Sequence, residues 1–136
     1  MKVTGACHCG RIRFEAEADP SKVLICHCLD CQILTGTAFR LVIPAALDSF
    51  MLDGEPRRYV RTGDSGARRI QAFCGDCGSQ LFAMAEQGAS QVNLRVGVLD
   101  QRQQLTPALQ IWRRSALPWL GELGQVAACE RQELLD

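Results

Sequence analysis

Phe73-Cys74-Gly75-Asp76-Cys77-Gly78 sets two thiols two residues apart, with glycines inside and after the pair. The two-residue spacer lets both sulfurs face one ion, and Gly75 and Gly78 relieve crowding where backbone N–H groups turn toward the thiolates. A knuckle of this shape supplies two ligands. A closed tetrahedral zinc site needs two more from elsewhere in the chain, and Cys7-His8-Cys9 holds the only other cluster of two cysteines. The first expectation is therefore an all-thiolate zinc site on Cys7, Cys9, Cys74 and Cys77, tying the start of the chain to its middle.

A third cluster, Cys26-His27-Cys28-Leu29-Asp30-Cys31, brings the number of grouped cysteines to seven of the eight. On a strand, alternate side chains share a face, so one ion can bridge Cys7 and Cys9, and by the same logic Cys26 and Cys28. Cys31 returns to the second ion through the turn after Cys28. The division is then four ligands and three. Closed sites are structural and open ones reactive, so the sequence predicts two Zn²⁺ per chain, one a scaffold ion and one with a position for substrate. His8 and His27, each between two cysteines, are expected to project away from the metals. Cys129, alone, reads as a small buried apolar residue, Asp30 as a turn residue, and Trp112 and Trp119 as core or pocket wall.

Three other readings of the cysteines stand beside this one. Eight is an even number, as disulfides require, but thiols spaced by one or two residues without an export signal fit that poorly. A redox dithiol at Cys74-Gly75-Asp76-Cys77 needs a helix after it, whereas Ser79-Gln80-Leu81-Phe82-Ala83-Met84 reads as a strand. Finally, both ions could be structural, with His27, Asp30 or a water completing the second sphere.

The rest of the chain looks mainly β. Alternating segments Arg11–Ala18 and Gln91–Val98 read as half-buried strands, joined by shorter candidates at Val23–Cys26, Ala38–Ile43, Ser49–Leu52, Arg57–Arg61, Arg68–Cys74, Gln80–Met84 and Gln110–Arg113. Asp53-Gly54-Glu55-Pro56 and Thr62-Gly63-Asp64-Ser65-Gly66 carry hairpin-type turn signals. Helical turns are expected only at Leu29–Leu34, ended by Gly36, and at Cys129–Leu135. With 136 residues, no repeat and no linker, residues 1–136 read as one domain. Fifteen basic residues balance fifteen acidic ones, so no nucleic-acid partner is expected. The start lacks the apolar run of a secretory signal, and Leu41–Leu47 is too short to span a bilayer, so a cytoplasmic protein without membrane attachment is expected.

An ion held by three thiolates is soft and carries little Lewis acidity compared with one held by neutral imidazoles. It suits a substrate thiol better than an activated water, which points to making or breaking carbon–sulfur bonds. The nucleobase deaminases, which also use cysteine-rich zinc, pair Pro-Cys-x-x-Cys with a His-x-Glu motif, and this chain has neither.

In ordered sequence, Gly5-Ala6-Cys7-His8-Cys9-Gly10, Cys26-His27-Cys28-Leu29-Asp30-Cys31, Thr35-Gly36, Phe39, Gly54, Tyr59, Arg69, Phe73-Cys74-Gly75-Asp76-Cys77-Gly78-Ser79, Leu81-Phe82, Gly97-Val98-Leu99-Asp100, Ser115 and Pro118-Trp119 resemble the glutathione-dependent formaldehyde-activating enzyme family, which includes the domain of centromere protein V. The resemblance implies a β-tent fold of antiparallel sheets with short helical turns. It also implies a structural zinc on Cys7, Cys9, Cys74 and Cys77, and a second zinc on Cys26, Cys28 and Cys31. The implied reaction is carbon–sulfur lyase chemistry, joining a small thiol such as glutathione to a small aldehyde such as formaldehyde, with the three cysteines as ligands of the reactive zinc. The alternative from a different class is a non-catalytic zinc module that binds a protein or other ligand.

Overall fold

Arg13-Phe14-Glu15-Ala16-Glu17 alternates in sequence and in space: Phe14 and Ala16 are buried while Arg13 and Glu17 face solvent. The same rule organises most of the chain. The computed structural model describes residues 1–133. Its strands are β1 (Lys2–Ala6), β2 (Arg13–Glu17), β3 (Leu24–Cys26), β4 (Arg40–Ala46), β5 (Met51–Asp53), β6 (Arg57–Thr62), β7 (Arg68–Phe73), β8 (Gln80–Ala85), β9 (Gln91–Arg95) and β10 (Leu109–Ile111), with helix α1 (Leu29–Thr35) between β3 and β4.

Two sheets form. The smaller runs β1-β2-β5 and the larger β10-β3-β4-β9-β8-β7-β6. The sheets meet through one apolar cluster: Val3, Phe14 and Ala16 from the smaller pack with Ile43, Val92, Leu94, Phe82 and Ala72 from the larger. Burying each of the larger side chains is worth about 1.5–3 kcal/mol. Phe50 seals the seam, its ring centroid 5.7 Å from that of Phe14 and 5.0 Å from that of Phe82.

Register decides what the other face of the large sheet presents. Directly paired residues share a face, so Cys26↔Arg40, Leu24↔Val42↔Arg95, Asn93↔Ala83↔Gln71 and Arg69↔Arg61 form a row across six strands opposite the core. That row builds the floor of the site.

Helix α1 starts where Cys28 caps it, the sulfur accepting the N–H of Cys31, and stops at Gly36, whose φ of 68° suits glycine. It matches the expected Leu29–Leu34 to within a residue. The mainly β reading stands, with particular differences. Lys2–Ala6 is a strand that its sequence hardly signals. The segment Gln91–Val98 divides into β9 and a 3₁₀ turn at Val96–Val98. Asp53-Gly54-Glu55-Pro56 makes no hairpin: it carries the chain from β5 in one sheet to β6 in the other, while Thr62–Gly66 does close the β6–β7 hairpin. β10 joins β3 in parallel, against an otherwise antiparallel pattern. No helix occupies residues 129–133, and Leu134 and Leu135 lie outside the described residues. No helix among the described residues is long and apolar enough to cross a membrane.

Candidate metal centres and adjoining cavity

The turn after β1 and the β7–β8 connection meet at one end of the core, bringing the sulfurs of Cys7, Cys9, Cys74 and Cys77 all within 4.8 Å of one another. Cys7 Sγ lies 3.5 Å from Cys9 Sγ, and Cys9 Sγ lies 3.8 Å from Cys74 Sγ. Four sulfurs about 2.3 Å from a shared tetrahedral ion sit roughly 3.8 Å apart, so this donor set fits zinc. Cys7 and Cys9 stand in a turn, not on a strand as the spacing argument assumed; Gly10, at φ 79°, turns the chain so that Ile12 N–H reaches back to Cys7 Sγ at 3.3 Å. Gly78, at φ 79°, plays the expected part in the knuckle. Gly75 serves differently, since a Cβ there would meet Arg57 Cδ at 2.6 Å.

Ser79 ties the two halves together. Its hydroxyl accepts the His8 N–H at 3.0 Å and lies 3.3 Å from Cys77 Sγ. That hydroxyl and the Ser79 N–H pull the Cys77 thiol down to about 5. Cys9 goes the other way, to about 12: the Arg11 N–H favours its thiolate, but desolvation and the neighbouring thiols of Cys7, Cys74 and Cys77 outweigh it. Four thiolates this close repel one another unless a cation is shared among them, which is what a dication supplies.

The second group, Cys26, Cys28 and Cys31, also has its sulfurs within 4.8 Å. Cys26 ends β3, Cys28 caps α1 and Cys31 lies in its first turn, so strand, cap and helix each deliver one sulfur. Burial raises Cys31 and Cys26; Cys28, although burial opposes it, is lowered by the Cys31 N–H and by the thiols of Cys31 and Cys26. Three converging thiols suit a soft ion as well.

The connecting residues hold this triangle in place. His27 is buried and turns away from the sulfurs as expected: its Nε2–H donates to Gln110 Oε1 at 2.7 Å, its ring packs edge-on against Phe39, and its N–H donates to Ile111 O. Gln32 Nε2 donates to His27 O at 2.8 Å and to Ser115 O at 3.0 Å. Asp30, read as a turn residue, also pairs with Arg61.

The three sulfurs line a cavity of about 290 Å³, shared with Arg40, Arg95, Arg69, Arg61 and Trp112. Arg40 and Arg95 are only 8% and 7% exposed. Burial, with Arg40 and Arg69 alongside, holds the Arg95 guanidinium down to about 9. Sequence reading missed these arginines, because arginine is mostly an exposed residue type and the pairing that carries Arg40 to Cys26, and Arg95 to the next strand, is set by sheet order. Trp112 stands at the cavity with φ 57°, a left-handed backbone that costs a non-glycine residue about 1–2 kcal/mol. It is half exposed, as is Trp119, so neither is a core residue.

All eight cysteines are free, and the Sγ separations are far beyond the ~2.05 Å of a disulfide. The disulfide reading is thereby excluded. The redox dithiol is excluded too, since β8 and not a helix comes after Cys77. Cys129 is exposed, contrary to expectation, and belongs to neither sulfur group; its thiol donates to Arg131 O at 2.9 Å.

A mainly β protein with two thiol clusters, one joined to its core through Cys7 and Cys74 and one opening on a cavity, is the class that the geometry defines. Over residues 2–115 the chain matches the family described as glutathione-dependent formaldehyde-activating enzyme, and it belongs to that family. The match ends before Pro118-Trp119, the last piece of the sequence resemblance. Among curated proteins, none matches the chain. The fold is similar to that in a crystal structure of a Rhodobacter sphaeroides protein solved as a structural-genomics target, with a TM-score of 0.61 and 18% identity, covering 79% of this chain and 98% of that one.

Proposed function

We propose that this chain, residues 1–136 acting as a single zinc-binding domain of the cytoplasm, joins or cleaves a small thiol and an aldehyde, with glutathione and formaldehyde as the reading the family supports best. Cys7, Cys9, Cys74 and Cys77 would hold a structural zinc, and Cys26, Cys28 and Cys31 a second one. The observation that carries this division is the contrast in surroundings: Cys7 and Cys74 merge with the apolar core, whereas all three sulfurs of the other group line a cavity. Zinc at the second group would supply a soft acceptor that keeps a substrate sulfur as thiolate near neutral pH.

The protein's own residues govern how the two reactants meet. Cys26, at the end of β3, and Cys28 and Cys31, at the start of α1, line the cavity together and would hold the ion there. Trp112, held in a strained backbone conformation, forms part of the wall, and strain of this kind is commonly retained where a side chain must be placed for function. In the reaction the sulfur lone pair forms a bond to the carbonyl carbon, the C=O π pair moves to oxygen, and that oxygen takes the proton that the thiol gave up. Holding both partners in a small cavity replaces an encounter in solution by a near-attack arrangement. No redox partner is needed.

The test is turnover of glutathione and formaldehyde by protein of measured zinc content, above the uncatalysed rate. Cys28→Ser should fold, lose one equivalent of zinc and lose the rate enhancement. Wild-type protein with two zinc ions and no enhancement would instead establish the non-catalytic module.

A further inference from the structure

The large sheet puts an unusual quantity of positive charge beside the three sulfurs. Arg40 is the cross-strand partner of Cys26, and Arg95 comes on the next strand, paired with Val42. Both are more than nine-tenths buried and line the cavity. Buried cations are ordinarily paired, because desolvating an unpaired guanidinium is expensive. Here the pairing is incomplete. Arg95 Nη2 donates to Gln71 Oε1 at 2.8 Å, a neutral acceptor, and among the described residues Arg95 Nε, Arg40 Nε and Arg40 Nη2 have no hydrogen-bond partner. Arg69 and Arg61 add two more guanidinium groups, against one carboxylate, Asp30, which Arg61 already engages.

Three thiolates sharing a dication carry one net negative charge, which offsets one of these four cations and leaves the free N–H donors unanswered. Sulfur is in any case a weak acceptor for a planar guanidinium fork, whereas a carboxylate matches it in geometry and charge. The cavity volume, about 290 Å³, lies at the lower end of ligand pockets and suits one small molecule that carries both the anion and the sulfur.

We propose that Arg40 and Arg95 form an anion subsite for a carboxylate carried a short distance from the substrate's sulfur, so that this chain selects carboxylate-bearing thiols over neutral ones. This rests on the thiol reading of the cavity, and deepens it by naming the residues and the ligand class.

The test compares 3-mercaptopropionate with 2-mercaptoethanol, thiols of similar size that differ in charge, on cobalt-substituted protein whose visible bands report sulfur entering at the three-cysteine group. The carboxylate should bind on the order of 10- to 100-fold more tightly, the worth of charge-assisted hydrogen bonds. In Arg95→Gln and Arg40→Gln that preference should shrink toward unity. A second measurement removes both the thiol and any dependence on folded variants: calorimetry of wild-type protein with 3-(methylthio)propionate, set against 2-(methylthio)ethanol and inorganic phosphate. Binding of the carboxylate alone supports the subsite. Equal affinity for charged and neutral ligands overturns it and leaves the thiol reading intact; tighter binding of phosphate overturns the carboxylate assignment. If neither thiol shifts the cobalt bands yet the thioether carboxylate binds, the thiol reading fails and the anion subsite stands.

Discussion

His27 Nε2 lies 2.7 Å from Gln110 Oε1, and this contact fastens the loop between Cys26 and Cys28 to β10, the terminal strand of the large sheet. His27 is 2% exposed and its Nδ1 has no partner among the described residues, so Gln110 supplies the ring's single side-chain hydrogen bond. Gln110→Leu would leave both ring nitrogens unsatisfied. The expected cost is about 1–3 kcal/mol in denaturant unfolding, with weaker metal retention at the three-cysteine group. Gln110→Glu, which keeps an acceptor oxygen, should recover most of the loss. Unchanged stability in Gln110→Leu would show that the contact contributes nothing.

The two sulfur groups should respond differently to loss of one thiol. A structural zinc contributes apparent binding energy of about 10–16 kcal/mol to folds whose net stability is about 5–15 kcal/mol. Cys77→Ser removes a sulfur that joins the β7–β8 connection to the turn after β1, and is expected to give unfolded or insoluble protein. Cys28→Ser, in a group lining a cavity, should retain its far-ultraviolet circular dichroism while losing one metal equivalent. A soluble, normally melting Cys77→Ser protein would reverse the assignment of roles.

These contrasts show where sequence was a sufficient guide. Cysteine spacing carried the grouping into four and three because short spacers confine sulfurs whatever the backbone does around them. It misplaced Cys7-x-Cys9 on a strand, since a tight turn closed by Gly10 brings two sulfurs together as well as an extended chain does. Alternation found β2 and β9, whose apolar sides meet the core, but not β1, where Gly5 occupies an inward position close under Phe14. Turn residues marked Gly54 as a break between strands, but the expected hairpin is a crossing between sheets, because turn chemistry is local and strand pairing is not. The burial of Arg40 and Arg95 depends on sheet order across β4 and β9, which no local pattern encodes.

Gly54 supplies a third prediction. It has φ 102°, and a Cβ there would fall 2.7 Å from Arg11 O and 3.1 Å from Ile12 Cα, both backbone atoms that cannot step aside. Gly36 also has positive φ, at 68°, but a Cβ there would meet nothing within 4 Å. Gly36→Ala should therefore cost about 1–2 kcal/mol, the backbone penalty alone. Gly54→Ala should cost about 2–5 kcal/mol, since overpacking is added. Paired thermal melts decide it, and equal losses would mean that the β2–β5 edge relaxes freely around the added methyl.

Metal release on acidification should be stepwise, in an order set by which thiols resist ionisation. Binding zinc requires each cysteine as thiolate, so protons compete with the metal, and a thiol raised above its ordinary value loses that competition at a higher pH. In the three-cysteine group burial raises both Cys31 and Cys26, and only Cys28 is lowered. In the four-cysteine group Cys77 is drawn down to about 5 by Ser79, and Cys7, though burial opposes it, is lowered by the Ile12 N–H and by the thiols of Cys9 and Cys74, against a raised Cys9. As pH falls from neutrality the three-cysteine group should empty first, with the fold retained, and the four-cysteine group later, together with unfolding. Ser79→Ala removes the hydroxyl that favours the Cys77 thiolate, so it should move the second release to higher pH and bring the two steps closer. A chromophoric zinc indicator and circular dichroism monitored through one acid titration separate the steps; loss of structure with the first equivalent of metal would show that the assignment is inverted.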